Sequence, residues 1–433
     1  MKKYKFLLPL LLLALELNAQ DTLTFEQAVE IALKNNHSIL ISKNDAEINR
    51  NDITPGNAGM LPQVNINAGG NYAVNNTLQD LANGTSINKN NALSTGISSG
   101  IALNWTIFDG MKMFATYDKL KQLGEMGELS LKMTIESTIS EISKNYYSLV
   151  KQAQLIKALE NDLELYRERV KIAEAKFNMG SASKVDLLQA KVDMNELTSN
   201  YLRQKNRMAE LKAELNHLMA RSIDTPFEVS TVISTSYNPS LEDLKKTTIE
   251  ENYALRYQQK NIMVNELALK EVRSQLFPKL GLTANYNFTQ SANQAGFILL
   301  NQNLGLNTGV VFSWNLFNGG NDFRQIQNTK LSIANSKLLY DESKMIIETE
   351  VLKAYNNYKN AKEILALEEE NYSLAKENVE IALERFRLGS SSSLELKQAQ
   401  KSFEDAQLRL VTARYDTKIA ETELMRLNGT LVK

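Results

Sequence analysis

The 433-residue sequence has no cysteine, which excludes disulfides, thiol catalysis, cysteine zinc sites and a lipidated N-terminal cysteine together. Proline is scarce, six in all, and the single Ser/Thr/Pro-rich stretch between the halves is short, so a string of beaded domains is not expected. Histidine occurs only as His37 and His217, far apart and without metal-ligand spacing; both read as helix-surface residues. Neither charge sign dominates, with 49 Lys and Arg against 50 Asp and Glu, so the basic stripe that nucleic acid requires is missing. Beyond the N-terminus no run reaches the ~20 apolar residues of a spanning helix. Phosphate-loop, HExxH and GxSxG patterns are also missing, so neither catalysis nor a cofactor is expected. Met111 and Met113 offer thioethers of the kind that suit Cu(I), yet two methionines at a strand-to-helix junction read as packing.

What is present begins with an export signal. Lys2, Lys3 and Lys5 precede an apolar run over residues 6–15, and Ala19 supplies a small residue at a cleavage point. Residues 1–19 read as a secretory signal peptide; the alternative, a membrane anchor, needs a longer apolar run.

The rest of the sequence is written twice. FNMGS at 177–181 returns as FRLGS at 386–390, and GIALNWTIFDG at 100–110 returns as GVVFSWNLFNG at 309–319, both displaced by 209 residues. The Pro-led stretches LPQVNI (61–66) and FPKLGL (277–282) are displaced by 216 instead, so the loop after the first is longer in copy one. Repeat one occupies 20–220 and repeat two 240–433, joined by a Ser/Thr/Pro-rich link at 221–239 read as an equatorial region.

Each repeat carries proline-free, charge-rich runs with a coiled-coil period. Ile142, Tyr146, Leu149, Ala153 and Ile156, then Leu163, Tyr166, Val170, Ala173 and Phe177, step by three and four across 111–177. Residues 321–386 repeat this with Ile347, Val351, Ala354 and Tyr358, then Tyr372, Ala375, Val379 and Phe386. Past each Gly-Ser break the period restarts, through Leu187, Ala190 and Leu197 and through Leu396, Ala399 and Phe403. A further helix is expected to open each copy, over 25–52 and 241–274, with Thr24 and Ser240 as N-caps. Two helices of about thirty-five residues set end to end match one of about seventy, which gives ~100 Å of antiparallel coiled coil per repeat. Helices alone would also suit an isolated coiled-coil rod.

Strands argue otherwise. They are expected over about 61–76, 97–108, 278–289 and 307–317. Val64, Ile66, Tyr72 and Val74 alternate with Asn65, Asn67, Asn71 and Asn75, and Leu280, Leu282, Tyr286 and Phe288 alternate with Gly281, Thr283, Asn285 and Asn287. No charge occurs between Leu280 and Asn321. Alternation without charge on either face suits a membrane strand between lipid and a wet lumen, although one such strand would also suit a soluble sandwich. The two tryptophans, Trp105 and Trp314, occupy equivalent positions with Phe108 and Phe317 nearby. They read as an interfacial girdle, the alternative being two core tryptophans. Hydrocarbon tolerates no open strand edge, and four strands are too few for a barrel, so a membrane reading forces oligomerisation.

With LTFEQAVEIALKNN (23–36), LPQVNINAGGNY (61–72), the two Trp-containing strand ends and the tips FNMGSASKVDLLQA (177–190) and FRLGSSSSLELKQA (386–399), the sequence resembles the TolC-like outer-membrane efflux protein family over essentially the whole mature chain. The resemblance implies a mainly α fold with a membrane β-barrel, in a homotrimer of twelve strands continued by an α-helical barrel in the periplasm. It implies outer-membrane lipid, a periplasmic adaptor and an inner-membrane transporter as partners. It places adaptor docking at Phe177, Gly180, Ser181, Phe386, Gly389 and Ser390, residues that also fit ordinary helix-turn-helix chemistry. It places the acidic constriction of the periplasmic aperture at Glu395 and, in copy one, Asp186, with Gln398 where some relatives carry a second acid. Such a ring favours cations; a solvated acid in a first helical turn needs no pore. The expected function is therefore an exit duct for efflux or type I secretion, the alternative being a periplasmic coiled-coil scaffold without a pore.

Overall fold

The computed structural model describes residues 22–235, 237–296 and 298–431; the expected signal peptide lies outside the described residues. The chain divides into two compact units. One takes the described parts of residues 1–41, 134–251 and 347–433, the other residues 42–133 and 252–346. Each unit draws on both repeats.

In the first unit, helix α1 (Phe25–Asn35) starts under a Thr24 capping box with Gln27 and follows the short strand β1 (Thr22–Leu23). Long helix α3 (Lys112–Asn178) enters this unit from Thr134 onward and turns into α4 (Lys184–Leu218). The link contributes β4 (Glu228–Val229), which pairs in parallel with β1. Helix α5 (Leu241–Glu251) follows, and α7 (Asn321–Arg387) and α8 (Ser393–Leu427) repeat α3 and α4 with every boundary displaced by 209. The core is the seam that the three/four spacing marks. Ile142, Tyr146 and Leu149 are buried with Leu211, Leu215, Ala28 and Phe227, and Val379, Ala399 and Phe403 form a second cluster. Burial of that stripe, rather than propensity, sustains helices of 67 residues.

The second unit holds most of α2 (His37–Asn51), α6 (Tyr253–Arg273), the N-terminal parts of α3 and α7 (residues 112–133 and 321–346), and four strands. These are β2 (Gln63–Asp80), β3 (Ser86–Phe108), β5 (Lys279–Asn293) and β6 (Leu300–Ser313), in the antiparallel order β2-β3-β5-β6. Ion pairs Arg50–Glu128, Lys260–Glu125 and Lys119–Glu271 tie α2 and α6 to α3, and Asn265 donates to Ser336 of α7 at 2.9 Å.

The NWTIFDG and SWNLFNG endings have a mechanical role. Asp109 accepts from the Met113 amide at 3.0 Å and so opens α3, and Asn318 accepts from the Asp322 amide at the matching point of α7. Gly110 (φ 74°) turns the chain between strand and helix, and a Cβ there would collide with the Ser274 carbonyl. Met111 follows with φ 71°, where copy two has Gly320 at φ 79°.

Two expectations are corrected. The opening helices do not run unbroken over 25–52 and 241–274: each is cut at an asparagine, Asn36 (ψ 125°) and Asn252 (ψ 121°). Asn36 Oδ1 accepts the Ser38 and Ile39 amides, and Asn252 Oδ1 the Ala254 and Leu255 amides, so each side chain starts the next helix. A single 3₁₀ turn, Ser274–Leu276, then ends the helical run of copy two. Strand limits also differ: β2, β3 and β5 reach Asp80, back to Ser86 and on to Asn293, whereas β6 covers 300–313 instead of 307–317. Ladder bonds continue where neither face needs apolar side chains, so alternation fades before pairing does.

Candidate functional site

In the sheet unit the pleat separates two surfaces. One rung reads Asn67, Gly100, Asn287 and Gly305 across the four strands; the next reads Ile66, Ile101, Tyr286 and Leu306. The apolar surface is exposed along its length: Ile66 is 79% accessible, Leu306 66%, and Val64, Tyr72, Val310 and Phe312 are likewise open. A monomer in water does not keep an apolar face of this extent uncovered. The opposite face presents Asn65, Asn67, Asn71, Asn285, Asn287 and Asn307, polar and uncharged. Both sheet edges, β2 and β6, lack a neighbour among the described residues.

Both tryptophans sit at one end of this sheet. Trp105 Nε1 donates to the Met60 carbonyl at 2.9 Å and Trp314 Nε1 to the Leu276 carbonyl at 3.1 Å, two equivalent acceptors just before β2 and β5. Phe108 is half-buried, while Phe317 is exposed.

In the helical unit the expected tip residues build two matched turns. The Ser181 amide donates to the Lys176 carbonyl and the Gly180 amide to that of Phe177, both at 2.9 Å, with Gly180 at φ 76°. Ser390, Gly389 (φ 77°), Arg385 and Phe386 repeat the pattern. The two phenylalanines differ. Phe386 is buried under Lys176, whose Nζ lies 4.1 Å from the ring centroid, whereas Phe177 stays exposed.

The expected aperture residues lie one turn beyond. Asp186 closes a capping box on Ser183, accepting from Ser183 Oγ at 2.7 Å while its amide donates back at 3.2 Å. The Glu395 amide is capped by Ser392 at 3.2 Å; its carboxylate is exposed, 3.9 Å from Arg385 Nη2. Gln398 is exposed on the same helix. Asp186 and Glu395 thus serve separate helices, each leaving negative charge near an N-terminus.

A charged cluster went unread in the sequence. Arg169 of α3, 1% exposed, pairs with Asp193 of α4 at 3.0 Å and reaches Gln400 of α8 at 3.2 Å. Asp193 also receives Lys397 at 2.9 Å and Gln189 at 2.8 Å. Burial works to raise the Asp193 carboxyl, but the bonds from Lys397 and Gln189 and the charge of Arg169 hold it below the usual range. Two further carboxyls move the other way. Burial pushes Glu136 up to about 7 against the opposing charge of Arg426. Burial and the Glu404 charge push Asp162 up to about 7, with Gln407 donating to it at 3.0 Å.

Comparison with known proteins matches the sequence to the family described as outer membrane efflux protein over residues 28–221 and 244–430. Among curated proteins, the outer membrane efflux protein BepC of Brucella suis is 20% identical, the match covering 77% of this chain and 72% of BepC. The proteases secretion protein PrtF of Dickeya chrysanthemi is 19% identical over 93% of this chain and 87% of PrtF. Among solved structures, the outer membrane protein VceC of Vibrio cholerae superposes with a TM-score of 0.77 at 14% identity, covering 94% of this chain and 96% of VceC.

Proposed function

The chain belongs to the outer membrane efflux protein family, whose members are outer-membrane channels and not enzymes, and from that premise we propose that it is the homotrimeric exit duct of a tripartite efflux or type I secretion assembly. Three subunits pool their sheets into a twelve-stranded barrel in outer-membrane lipid, and their helices line a periplasmic tube. The tube carries solutes passively from an inner-membrane transporter, engaged through a periplasmic adaptor. Relatives named for efflux and for protease secretion support a duct whose cargo is chosen by the pump.

The observation that carries this reading is the sheet, apolar on one face and polar and Asn-rich on the other, with two open edges. Hydrocarbon accepts the first face, a water-filled lumen the second, and closure alone satisfies the edges. The hairpin tips around Gly180 and Gly389 are the adaptor-docking surface, Glu395 with Asp186 and Gln398 the aperture ring, and Trp105, Phe108, Trp314 and Phe317 the interfacial aromatics. No helix of the described residues is long and apolar enough to cross a membrane.

Reconstitution into planar bilayers tests the proposal. Cation-preferring conductance that weakens in Glu395→Gln is expected. Protein released into the soluble periplasm without detergent, and silent in bilayers, would favour a scaffold instead. Conductance with unchanged reversal potential in Glu395→Gln would remove that residue from the aperture.

A further inference from the structure

We propose that a cleft at the helix end of the sheet binds the headgroup of a zwitterionic phospholipid, its ammonium on Asp322 and its phosphate on Lys112 and Lys279. The site rests on the outer-membrane position proposed above and adds a specific ligand to it.

The cleft, of about 420 Å³, lies where β5 begins, β6 ends, and α3 and α7 start. Lys279 and its register partner Ser313 line it from the sheet, Phe277 from the turn before β5, and Trp314 from just past β6. Lys112 enters from α3 and Asp322 from α7. The cleft thus crosses the strand ends and belongs to neither face alone.

Asp322 is the group in need of a partner. The residue is 7% exposed, yet its carboxylate has neither a hydrogen bond nor an ion pair among the described residues. Burying an unpaired carboxylate costs stability. The fold does not demand this one. Asn318 caps α7 as Asp109 caps α3, and the position equivalent to Asp322 is Met113, buried to 5%. An acid in a first helical turn suits the dipole, but that benefit needs no burial. The lysines depart from the repeat in the same way. Lys112 corresponds to Asn321 and Lys279 to Gln63, and both lysines are exposed without an ion pair among the described residues. Three charges therefore meet in one cleft, at positions where the other copy carries none.

The signs select the ligand. A wholly anionic group would face the buried carboxylate, and a simple cation would face two lysines. One molecule bearing both an ammonium and a phosphate satisfies all three. Trp314 and Phe277 are exposed and give it aromatic walls, and an indole face itself attracts an ammonium. Interfacial tryptophan sits at headgroup depth, where basic pockets hold lipid phosphates. Aromatic walls at that depth favour a phospholipid over a soluble zwitterion.

The repeat supplies the test substitutions, each taken from the equivalent position: Asp322→Met, Lys279→Gln and Lys112→Asn. The detergent-extracted protein is titrated with phosphatidylethanolamine, and with phosphatidylglycerol of the same acyl chains, and bound lipid is read by native mass spectrometry. The unaltered protein is expected to hold phosphatidylethanolamine about tenfold more tightly, the margin of one charge-assisted hydrogen bond. Asp322→Met should abolish that preference, while Lys112→Asn with Lys279→Gln should weaken both lipids about tenfold. Asp322→Asn repeats the first arm if methionine disturbs folding. Equal retention of the two lipids, a preference that survives both changes at 322, or retention indifferent to the lysines overturns the site. Displacement of the lipid by millimolar free phosphoethanolamine also overturns it, since the ligand is then a solute. Protein that conducts in bilayers without any lipid preference loses this site alone; protein silent in bilayers loses the membrane reading beneath it.

Discussion

Arg169 and Asn378 occupy the same position in the two repeats and live in opposite surroundings. Arg169 is buried against α4 and α8 of its own chain, while Asn378 is exposed on α7. The contrast extends along the helices. Glu136, Asp162 and Asp193 are buried in repeat one, and their equivalents are Met345, Asn371 and Ser402. On α3 a charge meets partners that are present whenever the chain is folded. Asn378 on α7 stays in water, where a neutral group needs no partner. Duplication supplied one surface twice: at these positions α3 and α4 carry buried charge, while α7 and α8 carry neutral groups.

The largest effect is expected where that cluster is broken. Arg169→Ala leaves Asp193 short of a partner and should lower stability by roughly 3–5 kcal/mol, whereas Asn378→Ala, stranding no charge, should cost about 1 kcal/mol or less. Chemical unfolding of the detergent-solubilised variants reads both, and equal losses would erase the contrast between the repeats.

Glu136 sharpens the comparison through pH. Its carboxyl is raised in the folded state to about 7 from an ordinary 4.5, so its contribution is fully present below about 4.5 and is lost as pH rises through about 7. Glu136→Gln should therefore gain roughly 2–3 kcal/mol at pH 8 and little at pH 4.5. Asp162→Asn should behave alike, since its carboxyl is raised in the same direction. A gain that is independent of pH would contradict buried, protonated carboxyls.

The two tips give a smaller test. Ser183 shares a full capping box with Asp186, while Ser392 caps α8 through its hydroxyl alone. Ser183→Ala should cost about 1–2 kcal/mol and Ser392→Ala about 1 kcal/mol or less. Smallest of all, Met111→Gly should relieve a left-handed residue that copy two fills with Gly320 and gain at most about 1 kcal/mol. Thermal midpoints rank both pairs.

Much of the architecture was legible because the repeat states it twice. The long helices and their Gly-Ser turns show in a 3.5-residue period, and the sheet in uncharged alternation. The helix breaks at Asn36 and Asn252 escaped because neither site carries Gly or Pro, yet both asparagines stand at the same place in their copies, 216 residues apart. The outer half of β3 escaped because SINKNN has no apolar face to alternate. Residues 314–317 read as strand because their sequence copies 105–108, but no strand pairs with them among the described residues. The Arg169 cluster could not be seen locally: RERVK reads as a solvated helix face, and its partners Asp193 and Gln400 are distant in sequence. The tip and aperture residues were named by resemblance, and capping explains their local chemistry without requiring a pore.

The account stands on subunits completing one another's sheet. Native mass measurement of the detergent-extracted protein tests this most directly: three chains in one stable particle are predicted, and a stable single chain would contradict it.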